Sequence, residues 1–283
     1  MKILFISDFT LSQRSGGAQV SNDLILKKGR ELGHDIVEHS HSSSITDFLS
    51  SYDLVINSNL EAINKISPEK INYITRLPNS VRLEHDSCSY LDPATRENLF
   101  SNCVKTFFLS EFHYSFFRDL YGDYFKNVEI VYDPIDTEVF TKTQAEKIYD
   151  VVYCGYLHPL KGVNNLIHFA RNNPDRNISV FGWGDTNPET FFEKEANIEF
   201  KGAKSLEEVA SIFKQTQAIF HSPIVNEPFC RMVGEALLCG VEEVIGATDK
   251  IGAYLEFEKV GYDKLKEGCG NAAETFWSKI KKI

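Results

Sequence analysis

Residues 226–240 read Asn226-Glu227-Pro228-Phe229-Cys230-Arg231-Met232-Val233-Gly234-Glu235-Ala236-Leu237-Leu238-Cys239-Gly240. Pro228 suits the first position of a helix, where its missing N–H is no loss, and Gly240 suits the residue just past the end. The pattern predicts a helix over Phe229–Cys239, with Glu227 before it and Glu235 two turns inside. At ~1.5 Å per residue the two carboxylates stand ~12 Å apart along the axis. A retaining glycosidase pair needs about 5–5.5 Å and an inverting pair about 6.5–9.5 Å, so these acids form neither. Their spacing suits the two ends of one extended ligand. Between them lies a helix N-terminus, whose unpaired amides and positive dipole end favour phosphate. Acid, anion site, acid is a layout that fits a sugar nucleotide. Either acid read alone is an ordinary solvated side chain.

On both sides of this stretch, short β-rich runs alternate with helix-length segments. Lys2–Ser7 reads as a buried strand, followed by a polar loop to Gly17 and an amphipathic stretch over Ala18–Leu32 stopped by Gly33. Asp35–Glu38, Asp53–Asn57, Ser80–Glu84, Val104–Leu109 and Val128–Val131 are further strands, and Glu111–Tyr121 is the clearest helix among them. Thr141–Lys147 is polar and aperiodic. The alternation then restarts: strand Val151–Gly155, helix Val163–Asn172, strand Asn177–Phe181, helix Ser205–Lys214, strand Ala218–His221, the helix already described, and a short strand Val244–Gly246. Gly270–Ile283 reads as a terminal helix carrying Phe276 and Trp277. Such alternation implies α/β architecture with parallel sheets covered on both faces. The expected organisation is two doubly wound, Rossmann-like domains facing a central cleft: 1–140, a linker 141–148, 149–265, and a terminal helix 266–283 open to packing back on the first domain.

With 283 residues, 42% of them apolar and 25% charged, the chain has enough material for two cores and is not disordered as a whole. Its net charge of −10 repels polyphosphate, which disfavours a nucleic-acid partner. No run approaches the roughly 18–20 apolar residues of a spanning helix, and the N-terminal apolar run is too short for a signal peptide. Cys88, Cys103, Cys154, Cys230, Cys239 and Cys269 are scattered without a CxxC pair, as expected for reduced thiols in a cytoplasmic protein; peripheral membrane association stays open. The eight histidines show no metal-ligand spacing, and no Asp-x-Asp triplet occurs.

The stretch 226–240 resembles the E-x7-E signature of GT-B glycosyltransferases of family 4, the glycosyl transferases group 1, written there roughly as EPFG-x-x-x-x-EAMA-x-G. Other stretches resemble the same family in the same order. Ser15-Gly16-Gly17-Ala18-Gln19 is similar to its first Gly-rich loop, Glu84-His85-Asp86 to its "HD" after a strand, and Ser110-Glu111-Phe112-His113 to its "SEF" helix start. Val131–Phe140 resembles "NGVD…F", Cys154–Gly162 resembles "GRL…KG", and Gly182-Trp183-Gly184 resembles "G-x-G".

The resemblance implies a retaining, metal-independent transferase that moves a sugar from a nucleotide-diphosphate sugar to an acceptor hydroxyl, with no cofactor. Under it Glu235 accepts hydrogen bonds from the donor ribose and Glu227 holds hydroxyls of the transferred sugar. Lys161 meets the diphosphate and stabilises the leaving group. Gly16 and Gly17, and less distinctively Gly182 and Gly184, let backbone amides approach phosphate. Phe229 belongs to the donor motif, and His85 is the candidate on the acceptor side, for hydrogen bonding or proton movement. Two departures stand out. Tyr156 occupies the place of the family arginine in "GRL", so Arg231 or the Tyr156 hydroxyl would have to replace one cationic diphosphate contact. Cys230 occupies the place of a glycine and narrows the approach to the phosphates. An epimerase or hydrolase of the same fold, or a sugar-nucleotide-binding protein that has lost catalysis, remain the competing readings. The donor base, the acceptor (glycan, lipid-linked glycan, protein or small molecule) and the oligomeric state are not legible.

Overall fold

Ile3, Leu4, Phe5 and Ile6 are each at most 1% exposed, so the strand β1 (Lys2–Ile6) is covered on both faces, as the centre of a parallel sheet requires. The structure is a computed structural model that describes residues 1–14, 16–44, 52–184 and 188–280. Ser15 of the glycine loop and 281–283 of the expected terminal helix fall outside those residues. The chain divides into unit 1, Met1–Pro134 with Gly268–Ile283, and unit 2, Ile135–Glu267. These divisions fall at 134/135 and 267/268, whereas the sequence placed them at 140 and 265. Ile135 and Phe140 are buried, so the segment before the expected linker already has a core to pack in. Residues 141–148 form neither helix nor strand, and they are bonded within unit 2: Lys266 Nζ donates to Thr141 Oγ1 at 2.8 Å, and Lys147 Nζ to the Gly240 carbonyl at 3.1 Å.

Unit 1 carries a six-stranded sheet in the order β2-β1-β3-β4-β5-β6, parallel at every pairing, formed by β1, β2 (Asp35–His39), β3 (Leu54–Asn57), β4 (Ser80–Leu83), β5 (Cys103–Phe108) and β6 (Val128–Ile130). Its helices are α1 (Gly17–Glu31), α2 (Glu61–Ile66), α3 (Pro68–Ile74), α4 (Pro93–Asn102) and α5 (Glu111–Tyr121). Ser110 caps α5 by accepting from His113 N–H at 2.9 Å, and Gly122 stops it with φ +87°. Phe100, Phe108, Phe116, Phe117 and Phe125 fill one side of this unit.

Unit 2 carries a five-stranded parallel sheet, β11-β10-β7-β8-β9, from β7 (Tyr149–Tyr156), β8 (Ile178–Trp183), β9 (Ile198–Phe200), β10 (Thr216–Phe220) and β11 (Glu243–Ile245). Between the strands run α6 (Val163–Asn172), α7 (Pro188–Phe192), α8 (Leu206–Lys214) and α9 (Arg231–Leu238). After β11 the chain forms α10 (Gly252–Gly270), broken by Gly261 at φ +78°, and then α11 (Ala272–Ile280). In unit 1, α11 packs on α1. Trp277 is fully buried and donates its indole N–H to the Ile25 carbonyl at 2.8 Å. A Cβ on Gly29 would lie 2.3 Å from the Trp277 ring, which explains a glycine inside α1. No helix among the described residues is long and apolar enough to cross a membrane.

One expected element begins elsewhere. The helix of the deciding stretch starts at Arg231, with Cys230 as its N-cap at φ +70°, and not at Phe229 with Pro228 in the first position. Residue 227 is instead held extended by a parallel bridge to Ile251, with Glu227 N–H donating to the Lys250 carbonyl at 2.8 Å. Glu235 is therefore little more than one turn into the helix, and the ~12 Å helical spacing no longer applies.

Candidate functional site

In an open parallel sheet, ligands bind outside the carboxyl ends of the strands where the strand order reverses. In unit 2 that point lies between β7 and β10. The chain leaving β7 makes a short 3₁₀ turn, Pro159–Lys161, and Gly162 follows at φ +85°; a Cβ there would stand 2.0 Å from the Ser222 carbonyl oxygen. Only glycine lets this turn sit so close to the end of β10. The close approach brings Lys161 to Glu227: Nζ donates to Oε1 at 2.7 Å.

The residue after β10 is His221, whose Nε2 lies 3.6 Å from the same Glu227 oxygen and 3.3 Å from Cys230 Sγ. Four functional groups thus converge before α9. Glu227 is 7% exposed. Burial disfavours its charge, but the Lys161 ammonium and the His221 hydrogen bond prevail and pull its pKa down to about 2. Burial likewise works against a charged His221, yet Cys230 and Glu227 raise it to about 10. For Lys161, burial is outweighed by Glu227, which holds its pKa above the ordinary lysine value. The result at neutral pH is an ionised carboxylate between two cations, beside a helix N-terminus.

Glu235, 5% exposed, accepts from Arg231 Nε at 2.7 Å one turn away on α9. The two residues assigned separate donor contacts are therefore partners of each other. Phe229 is fully buried; its ring packs beneath Gly234 and its carbonyl accepts from Ala253 N–H. Its ring serves the core. Tyr156 ends β7 and lies 4.7 Å, ring to ring, from the half-exposed Trp183, with His158 stacked at 5.6 Å. Gly182 lies within β8, and a Cβ there would stand 1.9 Å from the Gly155 carbonyl oxygen; one on Gly184 would stand 2.7 Å from that of Leu157. Both glycines are thus required by strand and loop packing.

In unit 1 the order reverses between β1 and β3, and a second polar group collects there. Arg82 on β4 is 4% exposed and makes two bonds to Glu84 Oε2, from Nε at 3.0 Å and Nη2 at 2.8 Å, while its Nη1 donates to the Ser58 carbonyl. The other Glu84 oxygen accepts from the backbone N–H groups of His85 and Asp86, at 3.0 Å each. This buried pair fixes the turn that carries His85. The His85 side chain is 3% exposed, with Nε2 3.1 Å from Asn22 Oδ1 and Nδ1 3.9 Å from Asp133. Burial lowers its pKa to about 4, so the ring is neutral at pH 7. Burial, with the Glu84 charge, raises Asp86 to about 7. Gly16 is the extended N-cap of α1, and nothing lies within 4 Å of a Cβ on Gly17.

The sequence pointed to Lys161, Glu227, Cys230, Arg231 and Glu235, and unit 2 gathers them into two adjoining groups. It did not point to His221, although the end of β10 at the strand reversal is where the positional rule looks. Nor did it identify a metal-ligand set, whereas the fold brings His221, Glu227 and Cys230 within 4.8 Å of one another.

The sequence model of the family described as glycosyl transferases group 1 matches residues 135–276, half of the chain. No curated protein matches the sequence significantly. Among solved structures, Anabaena HepE in complex with UDP-glucose aligns with a TM-score of 0.66 at 17% identity, over 99% of this chain and 95% of that one. Sucrose-phosphate synthase from Thermosynechococcus elongatus aligns with a TM-score of 0.69 at 11% identity, over 99% and 96%. An alpha-glucosyltransferase in complex with UDP and a 13-mer DNA aligns with a TM-score of 0.60 at 11% identity, over 99% and 100%. Likenesses at such identities establish the fold, which is the GT-B architecture expected from the sequence.

Proposed function

We propose that the chain, which belongs to the glycosyl transferases group 1, moves a sugar from a nucleoside-diphosphate sugar to an acceptor hydroxyl, with retention and without a metal ion. The observation that carries the reading is the Lys161–Glu227 pair at the strand reversal of unit 2, immediately before α9. An incoming diphosphate competes with Glu227 for the Lys161 ammonium, which then neutralises charge on the leaving phosphate. The ionised Glu227 is released to accept hydrogen bonds from sugar hydroxyls. The first amides of α9 supply further donors to phosphate. Glu235, with Arg231 holding its carboxylate, takes the ribose hydroxyls.

Retention is proposed through front-face displacement, in which a leaving phosphate oxygen takes the acceptor proton as the new glycosidic bond forms. Metal independence is supported by the lysine at this position and by a sequence without an Asp-x-Asp triplet. In unit 1 the neutral His85 is proposed as a hydrogen-bonding partner on the acceptor side. Its depressed pKa suits a neutral donor or acceptor and not a cationic acid. The fold shared with HepE, solved with UDP-glucose, makes that donor the first to try. A cytoplasmic setting accords with six free cysteines.

The test is incubation with radiolabelled nucleotide sugars and a panel of glycan, lipid-linked, peptide and small-molecule acceptors, in the presence of EDTA. Label on an acceptor with the α-anomer retained is expected. An isomerised free donor, or tight binding with no turnover, refutes the reading. Glu235→Ala is expected to weaken nucleotide binding, seen as a lost thermal shift with UDP, whereas Glu227→Ala mainly lowers kcat.

A further inference from the structure

Cys230 stands at φ +70°, a conformation that disfavours every residue with a Cβ by about 1–2 kcal/mol. Such strain at a polar cluster points to a task for the side chain. What the conformation achieves is to bring Sγ to 3.3 Å from His221 Nε2, which is itself 3.6 Å from Glu227 Oε1. Tetrahedral zinc, with bonds of about 2.3 Å to sulfur, about 2.0–2.1 Å to nitrogen and about 2.0–2.2 Å to oxygen, sets its ligand atoms roughly 3.3–3.6 Å apart. These two edges fall within that range, and the third is no wider than 4.8 Å.

The other nitrogen of His221, Nδ1, is buried without a hydrogen-bond partner among the described residues, and it can keep its proton while Nε2 gives up its own to a metal ion. Sulfur, imidazole nitrogen and carboxylate oxygen together suit a borderline-soft divalent ion and not magnesium or calcium, which prefer oxygen. Three protein ligands leave a fourth position for water. Lys161 is the competitor, since its ammonium holds the same Glu227 oxygen; its side chain is 43% exposed and can turn into water when a cation arrives.

We infer that His221, Glu227 and Cys230 form a binding site for a zinc-class divalent cation, which displaces the Cys230 thiol proton and the His221 Nε2 proton to solvent and takes Glu227 from Lys161. The ion is no cofactor of the proposed transfer, and only its inhibition of that transfer rests on the donor reading. Coordination itself is measured without any sugar substrate.

The experiment titrates the full chain, freed of metal by EDTA and dialysis, with cobalt(II) chloride, followed by zinc back-titration. The expected result is one cobalt per chain, with tetrahedral visible bands and a thiolate-to-cobalt charge-transfer band that zinc abolishes. Cys230→Gly removes the ligand and suits the positive φ, so it folds without the strain. It is expected to lose the charge-transfer band. Both it and His221→Gln are expected to bind at least about tenfold more weakly. A wild-type chain without the charge-transfer band overturns the site. So does a band that persists unchanged in Cys230→Gly, which would place cobalt on another cysteine, or an affinity unchanged in His221→Gln.

Discussion

Replacing Glu227 by Gln removes one negative charge and leaves the size of the side chain almost unchanged. In the wild type the folded carboxyl titrates at about 2 against an ordinary value of 4.5. At 1.36 kcal/mol for each pH unit, that difference amounts to about 3 kcal/mol of folding stability above pH 4.5. The figure is a ceiling, because the Lys161 partner is 43% exposed and water screens its share of the attraction. A loss of about 1–3 kcal/mol at pH 7 is therefore expected of Glu227→Gln. The sign follows from the depressed pKa: the contribution is complete above 4.5 and fades as pH falls towards 2. More than half of the linked stability should be gone by about pH 3. Urea denaturation of both proteins from pH 7 downwards, to the lowest pH at which each stays folded, gives the gap directly. A gap that narrows below pH 4.5 supports the ionised Glu227 between Lys161 and His221. A gap of constant size, or none at pH 7, would mean that the carboxylate is not held by these cations, and the reading of the pair as a charged device that a diphosphate opens would fall with it.

Asp86→Asn should behave in the opposite sense. Burial raises Asp86 to about 7 from 3.8, so its contribution is complete below 3.8 and is lost as pH rises through 7; the variant should gain on the wild type across that window, as followed by thermal melts at pH 4 to 8. Gly182→Ala puts a Cβ 1.9 Å from the Gly155 carbonyl oxygen at φ +152° and should cost about 1–3 kcal/mol or more, seen as a lower Tm with or without nucleotide. Gly29→Ala, 2.3 Å from the Trp277 ring, should destabilise unit 1 by a similar amount and raise the solvent exposure of Trp277 measured by fluorescence quenching.

Much of the fold was legible because its signals are local. The buried strand β1, the helix Glu111–Tyr121 between its Ser110 cap and Gly122, and the Val163–Asn172 helix follow from runs and caps within a dozen residues. The packing of α11 against α1 was not legible in the same way. Gly29 is a poor helix former whose reason is Trp277, some 250 residues away along the chain. Gly182 and Gly184 show the converse: a glycine pattern that suggests phosphate contact also has a packing reason, in strands and loops that must approach one another.

The helix start at Arg231 carries the larger lesson. Pro at a first helical position is a sound local preference, and a bridge from residue 227 to residue 251 defeats it. Once residue 227 is extended, its carboxylate is no longer a rung of the helix but the meeting point of three side chains from three turns: Lys161 after β7, His221 after β10 and Cys230 at the cap. Spacing along the sequence counted two acids and a helix end. The fold makes of them a cation pair around one acid, and places the second acid in the keeping of Arg231. Each carboxylate thus stands with a positive partner already in place. For a ligand with two phosphates and two sets of hydroxyls, that is the arrangement in which binding exchanges one ion pair for another and leaves no buried charge unmatched.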